Sequence, residues 1–317
     1  MGTMRFGRHA LGIGLAVSML AGCGGLQPPI SASGEPSSVL VGKDQSLLYV
    51  SDEQAGDVYM VALPSGRLAG KLTGFVDPTG VCVDQHGNVF VDNPGESQVR
   101  AYAHGAKSAF RVLNDHSWEP FGCSVDPTTG NLAVSNFRTS QSEGSIAVYP
   151  NAKGAAHYYE YPGVYNFRYC AYDGDGNLFA DAINYASNNP IFLELPKGRG
   201  KLQPVSLSPA ITGDVSPALL WDGAHLAIAS PSSGVIYQYR ISGSTGIRIS
   251  VVKLDDASEV SGPFWIASNG KAQTLYAPII EDSIESVGVY HYPAGGRRLQ
   301  NLYDAPLPFA AAVSTPK

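Results

Sequence analysis

Chemistry in this chain has few places to come from. The most suggestive run is "DGDGN" at 173–177, where two carboxylates alternate with glycine. A calcium-binding loop can open this way, but it needs a glutamate at its twelfth position, and residue 184 is Asn. The same residues also make a tight turn, with Asp bonding backbone amides and Gly supplying positive φ, and a turn is the expected role. Cys82, Cys123 and Cys170 offer thiol chemistry or a cross-link. Seven histidines are scattered with no His-x-x-x-His pair, and no Gly-x-Ser-x-Gly elbow is present. "GRLAGKLTG" has the wrong spacing for a phosphate loop and puts Leu72 where Ser or Thr belongs. Zinc, serine-hydrolase and nucleotide chemistry therefore lack their usual residues, which favours a binding or scaffold module over an enzyme.

Composition narrows the partners. The 317 residues carry a net charge of −6 with 15% charged residues and no block of like charge, so the basic footprint of a nucleic-acid binder is missing. With 36 Gly and 22 Pro the chain is rich in turn formers, and 44% of it is hydrophobic.

The elements that must position any site follow from a repeat. "PTGVCVDQHGNVFVDN" begins at Pro78 and "PFGCSVDPTTGNLAVSN" at Pro120; Pro36, Pro78 and Pro120 are spaced by 42 residues. Further copies put Asp173, Asp222 and Asn269 in the position of Asp84 and Asp126. A second phrase, such as "DVYMVALPSG" or "SIAVYPNAKG", alternates with the first six times. Both phrases show period-2 apolar alternation or β-branched and aromatic runs ending in Gly or Pro, which is the pattern of strands. The second unit reads as four strands, "GVCVD", "VFVD", "VRAYA" and "AFRVL". Four strands repeated six times predict an all-β, six-bladed β-propeller, in which blades bury each other's faces around an axis.

The opening phrase resembles the NHL repeat, whose units run Pro-x-Gly-Val-Ala-Val-Asp, then Gly-Asn, then a strand ending in Ala-Asp. The similarity covers about residues 36–302 and implies the propeller fold, while relatives of that fold range from adaptors to lyases and lactonases. Counting back from the Asp, Cys123 and Cys170 share one strand position and Cys82 holds the next, and adjacent positions face opposite ways. Cys82 and Cys123 can then meet across a blade interface; alternatively all three are small buried hydrophobes.

Ligands of propellers bind at the axial mouth, where the first strands begin and the loops after the second strands meet. Trp118, Glu119, Phe121, Phe167, Arg168, Phe264 and Trp265 fall at the former. Asp52, Asp92, Asn93, Asn136, Arg138, Asp181, Asn184 and Asp282 fall at the latter. Trp118, Glu119, Phe121, Arg168 and Trp265 are the candidate ligand-binding set for an envelope protein, peptide or glycan. No cofactor is expected on this reading. The alternative is a metal-dependent lactonase or lyase. Gluconolactonase-type propellers resemble this fold and hold a divalent cation with a Glu, two Asn and an Asp. That likeness implies Ca2+ or Mg2+ at Glu119, Asn93, Asn136 and Asp181. The Glu-Gly-Pro of that family is absent: this chain has "GEPSS" at the first unit and "EPFGCS" at the third.

The N-terminus carries an address. Arg5 and Arg8 precede the apolar "ALGIGLAVSML", and "LAGC" ends at Cys23. The apolar run suits a signal peptide and is too short to span a bilayer. Leu-Ala-Gly-Cys resembles the bacterial lipobox, which implies cleavage before Cys23 and acylation of it, and Gly24 carries no inner-membrane retention signal. The expected organisation is a lipoprotein signal peptide over 1–22, a flexible stalk over 23–35, the propeller over 36–305 and a C-terminal tail over 306–317. The expected location is the bacterial cell envelope, with the protein lipid-anchored to a membrane (the outer membrane where the organism has one).

Overall fold

A computed structural model of the chain describes residues 44–115, 119–137, 143–212, 218–230, 233–269, 272–281, 284–302 and 308–317. The signal-peptide and stalk readings, Cys23 included, lie outside the described residues.

The described residues form β-strands linked by turns and three short 3-10 segments. Strands β1 (Leu47–Asp52), β2 (Asp57–Ala62) and β3 (Arg67–Leu72) make one antiparallel meander. β4 (Val81–Val83), β5 (Val89–Asn93), β6 (Gln98–Tyr102) and β7 (Arg111–Asn114) make the next four-stranded sheet. β8 (Glu119–Val125), β9 (Leu132–Phe137), β10 (Ser145–Tyr149) and β11 (His157–Tyr159) make a third.

Two further runs share one nine-stranded sheet. The first holds β12 (Val164–Tyr165), β13 (Cys170–Tyr172), β14 (Leu178–Asn184), β15 (Pro190–Leu195) and β16 (Gln203–Ser208). The second holds β17 (Leu219–Trp221), β18 (Leu226–Ser230), β19 (Val235–Ser242) and β20 (Thr245–Lys253). Their outer strands β16 and β20 meet in a short parallel pairing of Ser206–Ser208 with Thr245–Ile247. The last sheet contains β21 (Glu259–Val260), β22 (Trp265–Asn269), β23 (Ala272–Glu281), β24 (Ile284–Tyr292) and β25 (Gly295–Asn301).

β26 (Pro308–Ser314) does not stay with its sequence neighbours. It pairs antiparallel with β1, which gives the first sheet the order β26-β1-β2-β3. Residues 308–314, within the segment set apart above as a C-terminal tail, therefore form a strand of the first sheet. The physical reason is legible in "PFAAAVS": small apolar side chains, of which Ala310, Ala311 and Ala312 are at most 1% exposed, fill a narrow slot beside β1.

The core lies between sheet faces. Phe90 and Val99 pack with Leu132, Val134 and Tyr149, joining the second sheet to the third. Leu47 and Tyr49 meet Val89 and Val91; Ile146 and Val148 meet Leu178 and Leu193. Val287 and Val289 pack on Leu48, Val50 and Ala311, which brings the last sheet onto the first. No sheet buries both faces alone, so the repeat is a packing necessity.

The recurrent Asp organises the turn inside each unit that carries it, at Asp84, Asp126, Asp173 and Asp222. Asp84 Oδ1 accepts the amides of His86 and Asn88 at 2.8 Å each, and Oδ2 accepts Asn88 Nδ2 at 2.8 Å. Asp173 repeats this with the amides of Asp175 and Asn177 and with Asn177 Nδ2. Gly87 and Gly176 follow at φ of 79° and 81°, a region where a side chain is strained. "DGDGN" is thus a hairpin turn whose first carboxylate is occupied by backbone amides.

Candidate functional site

Two cavities line the route where the inner strands converge. The first, about 200 Å3, is walled by β4, β8, β13, β17 and the start of β22, with Cys82, Cys123, Tyr172, Trp221 and Trp265 on its surface. The second, about 290 Å3, is a mouth pocket between Glu53, Asp77, Glu119, Phe121 and Phe137, with Thr79, Pro94 and Gly95 completing it.

Local structure explains the mouth. Glu53 and Phe137 sit where the chain leaves β1 and closes β9; Asp77 precedes the Pro that drops the chain onto β4. Phe121 stacks on Phe137 with centroids 5.2 Å apart, meets Phe309 edge-on at 5.1 Å and leans on Tyr169 at 5.5 Å. Arg168 lies over both rings, 5.6 Å from Phe121 and 5.0 Å from Phe137, and its buried Nε has no hydrogen-bond partner. The wall of the mouth is a stacked aromatic pair with a guanidinium against it. The rim is acidic. Burial pushes the Glu53 carboxyl above its ordinary range, and the charge of Asp77 adds to the shift.

Of the residues expected at the mouth, the structure brings Glu119 and Phe121 into this pocket and Arg168 against its aromatic wall. Trp265 lines the first cavity instead. Trp118, Arg138 and Asp282 lie outside the described residues. Glu53, Asp77 and Phe137 were missed. Each neighbours a residue that the sequence did single out, namely Asp52, Pro78 and Asn136.

The oxygen and amide set implied by the lactonase likeness is divided. Asn93 is buried and committed to its turn: Oδ1 accepts the Val76 amide at 2.8 Å and Nδ2 donates to Glu96 at 2.7 Å. Asn136 Nδ2 donates to Ser145 Oγ at 3.2 Å, leaving a buried, unpartnered Oδ1. Asp181 Oδ1 accepts the Tyr169 amide at 2.8 Å, and Oδ2 is buried without a partner. Glu119 stands in the mouth pocket. Of the four, Asn93 has its amide engaged on both sides, while Asn136 and Asp181 each keep one unpartnered buried oxygen. Among the described residues no three of His, Cys, Asp or Glu converge on a metal position.

Sequence reasoning also underrated two buried acids. Asp92 is 0% exposed with neither carboxylate oxygen hydrogen-bonded. Burial pushes its pKa well above the usual carboxylate value, and Asp115 pushes the same way. Burial likewise raises Asp181 to about 7, against the opposing pull of the Tyr169 amide and Arg168. Ser51 and Ser135 occupy the position of Asp92 in the flanking sheets. There a hydroxyl donates to the segment leading into the inner strand of the next sheet, to Thr79 O at 2.5 Å and to Arg168 O at 2.6 Å. In the first and third sheets this position ties one sheet to the next.

No protein-family profile and no curated protein matches the chain. Solved structures do. A protein of unknown function from Bacteroides caccae superposes with a TM-score of 0.62 at 13% identity, over 86% of this chain and 99% of that one. A chain of the nidogen/laminin complex also gives 0.62 at 13%, over 85% and 98%. The β-propeller domain of Cps50 (Swd1) from Myceliophteria thermophila gives 0.53 at 10%, over 86% and 89%. At such identities the likeness is one of fold. The protein is a β-propeller-like all-β protein.

Proposed function

We propose that this is a lipid-anchored bacterial envelope protein whose body is a six-bladed, NHL-like propeller that binds a ligand at its mouth without transforming it. Six blades are supported by sheet order. The nine-stranded sheet divides at its parallel pairing into two antiparallel units, which stand beside the three four-stranded sheets and the last sheet. The anchor is supported by "LAGC" at 20–23 and the apolar run before it.

The observation that carries the binding reading is the mouth pocket. It sets Glu53, Asp77 and Glu119 around the Phe121–Phe137 pair, which suits an extended ligand with hydroxyl or amine groups and a flat apolar face, a glycan or a peptide. The test is a thermal-shift screen of envelope glycans and peptides on the full chain, repeated with Glu119→Gln and Phe121→Ala. Stabilising ligands whose effect is lost in both variants support the mouth. Ligands that stabilise wild type and variants alike overturn it.

A second reading, metal-dependent hydrolysis, has in its favour the unpartnered oxygens of Asn136 and Asp181. A Ca2+ and Mg2+ titration decides it: no stabilisation at millimolar concentration removes that reading.

A further inference from the structure

Outer strands of a β-protein normally alternate apolar and polar, with polar side chains outward. The β19–β20 ribbon breaks this rule. On β20 the outward positions are Ile247, Ile249 and Val251, exposed by 59%, 40% and 49%, followed by exposed Lys253. Cross-strand register completes the face: Arg240 stands opposite Ile247, Tyr237 opposite Val251 and Val235 opposite Lys253. Directly opposed residues share a face. An apolar strip of five side chains is therefore bracketed by a cation at each end.

Charge selects the occupant. Between Val235 and Lys253 there are three cations and no carboxylate, in a chain whose net charge is −6. The nearest acid on this strand's exit is Asp255, which meets Lys253 only at 4.0 Å while both stay exposed. The neighbouring strand β25, bridged to this one at Leu254 and Gly296, adds exposed Arg297 and Leu299. Aliphatic side chains ringed by Arg, Lys and Tyr match the boundary between acyl chains and anionic headgroups, where long cationic side chains bury their stems and keep their charge in water.

We propose that the outward face of the Val235–Ser242 and Thr245–Lys253 ribbon docks on an anionic bilayer surface and so fixes the orientation of the body on the membrane. This rests on the envelope location proposed above but not on acylation. An acyl anchor holds the body near the bilayer, where even a weak surface contact is repeatedly made because the effective concentration is high.

The test uses the chain from residue 24, which carries neither the apolar N-terminal run nor the acylated cysteine, sedimented with phosphatidylcholine vesicles containing roughly one third phosphatidylglycerol. Expected is co-sedimentation that vanishes on pure phosphatidylcholine. It should fall about tenfold in the Ile247→Ser/Ile249→Ser/Val251→Ser triple variant, and equally in Arg240→Glu/Lys253→Glu. The charge-reversal pair keeps every apolar side chain, so its melting temperature should match wild type. Absence of wild-type binding overturns the proposal, as does binding that both variants retain. So does a wild-type dimer that the triple variant abolishes, since the face would then be an interface between copies. Acylation is read separately, by membrane fractionation of exported Cys23→Ser, so failure of one idea leaves the other standing.

Discussion

Cys82 on β4 and Cys123 on β8 form a disulfide that ties two neighbouring sheets, with their Cα atoms 5.7 Å apart. The bond spans a sequence separation of 41 residues, for which chain entropy of the unfolded state gives a stabilisation of about 4 kcal/mol. The Cys82→Ala/Cys123→Ala double variant should therefore lose roughly 2–4 kcal/mol in urea unfolding, with an unchanged fold by circular dichroism. Cys170 is free and buried, and burial pushes its thiol up. It should resist alkylation in the native state and label only on unfolding. An unchanged urea midpoint in the double variant would refute the structural role of the bond.

The cysteine register shows how far the sequence could be read. Period-2 alternation and the recurring Asp are local, so strands β4 to β7 and the one-position offset between Cys82 and Cys123 followed from counting alone. The offset left two outcomes open, and only packing of the second sheet on the third decides for the bond. Glu119 and Phe121 were found because they follow a repeat boundary. Asp77 and Glu53 were not, because a single carboxylate next to Pro or Asp reads as a turn residue until three sheets converge on one pocket. The closing strand β26 was illegible for a related reason. "PFAAAVS" has no partner within its own unit, and its pairing with β1 spans nearly the whole chain.

Asp92 and Asp181 should make stability depend on pH. Their folded pKa values lie above the unfolded value near 3.9, so the native state binds more protons across that window. The contribution is complete below pH 4 and declines as pH rises through about 7 for Asp181, by at most ~1.4 kcal/mol per pH unit for each group. Urea unfolding at pH 5 and pH 8 should show the higher midpoint at pH 5. Asp181→Asn keeps an oxygen for the Tyr169 amide while removing the titration, and should narrow that difference. Asp92→Ser copies the residue at 51 and 135 and should gain about 1–2 kcal/mol at pH 8. Equal midpoints in wild type at both pH values would contradict the buried acids.

Gly80 is a point of close approach between the second and third sheets. A Cβ there would meet Asp92 Oδ2 at 2.3 Å, Gly122 Cα at 2.7 Å and Phe121 O at 2.9 Å, and two of these three atoms belong to backbone. Gly80→Ala should destabilise by about 2–4 kcal/mol, as overpacking of a close backbone contact does. Gly174, with nothing within 4 Å of its added Cβ, serves as the control, and Gly174→Ala should stay within about 0.5 kcal/mol of wild type. Comparable losses in the two variants would mean that the inner-strand approach is looser than the geometry states.

Deleting residues 308–317 tests whether the first sheet needs its last strand. Without β26 the whole of β1, now 0% exposed from Leu47 to Asp52, becomes an open edge with unpaired amides and carbonyls. Ser51 loses the Ala310 amide that its hydroxyl accepts at 3.1 Å, and His104 loses the Ser314 hydroxyl at 2.7 Å. Val287 and Val289 lose Ala311 and Val313, so the contact between the last and first sheets is damaged from the same side. The truncated chain should aggregate or elute as an expanded species on gel filtration, and limited proteolysis should cut it in the first sheet before any other. Adding a synthetic "PFAAAVS" peptide in excess should restore protection, because the slot beside β1 is shaped by strands that remain. A truncated chain that stays monomeric, with the wild-type melting temperature, would show that the ring is closed by the sheet faces alone and that β26 is dispensable.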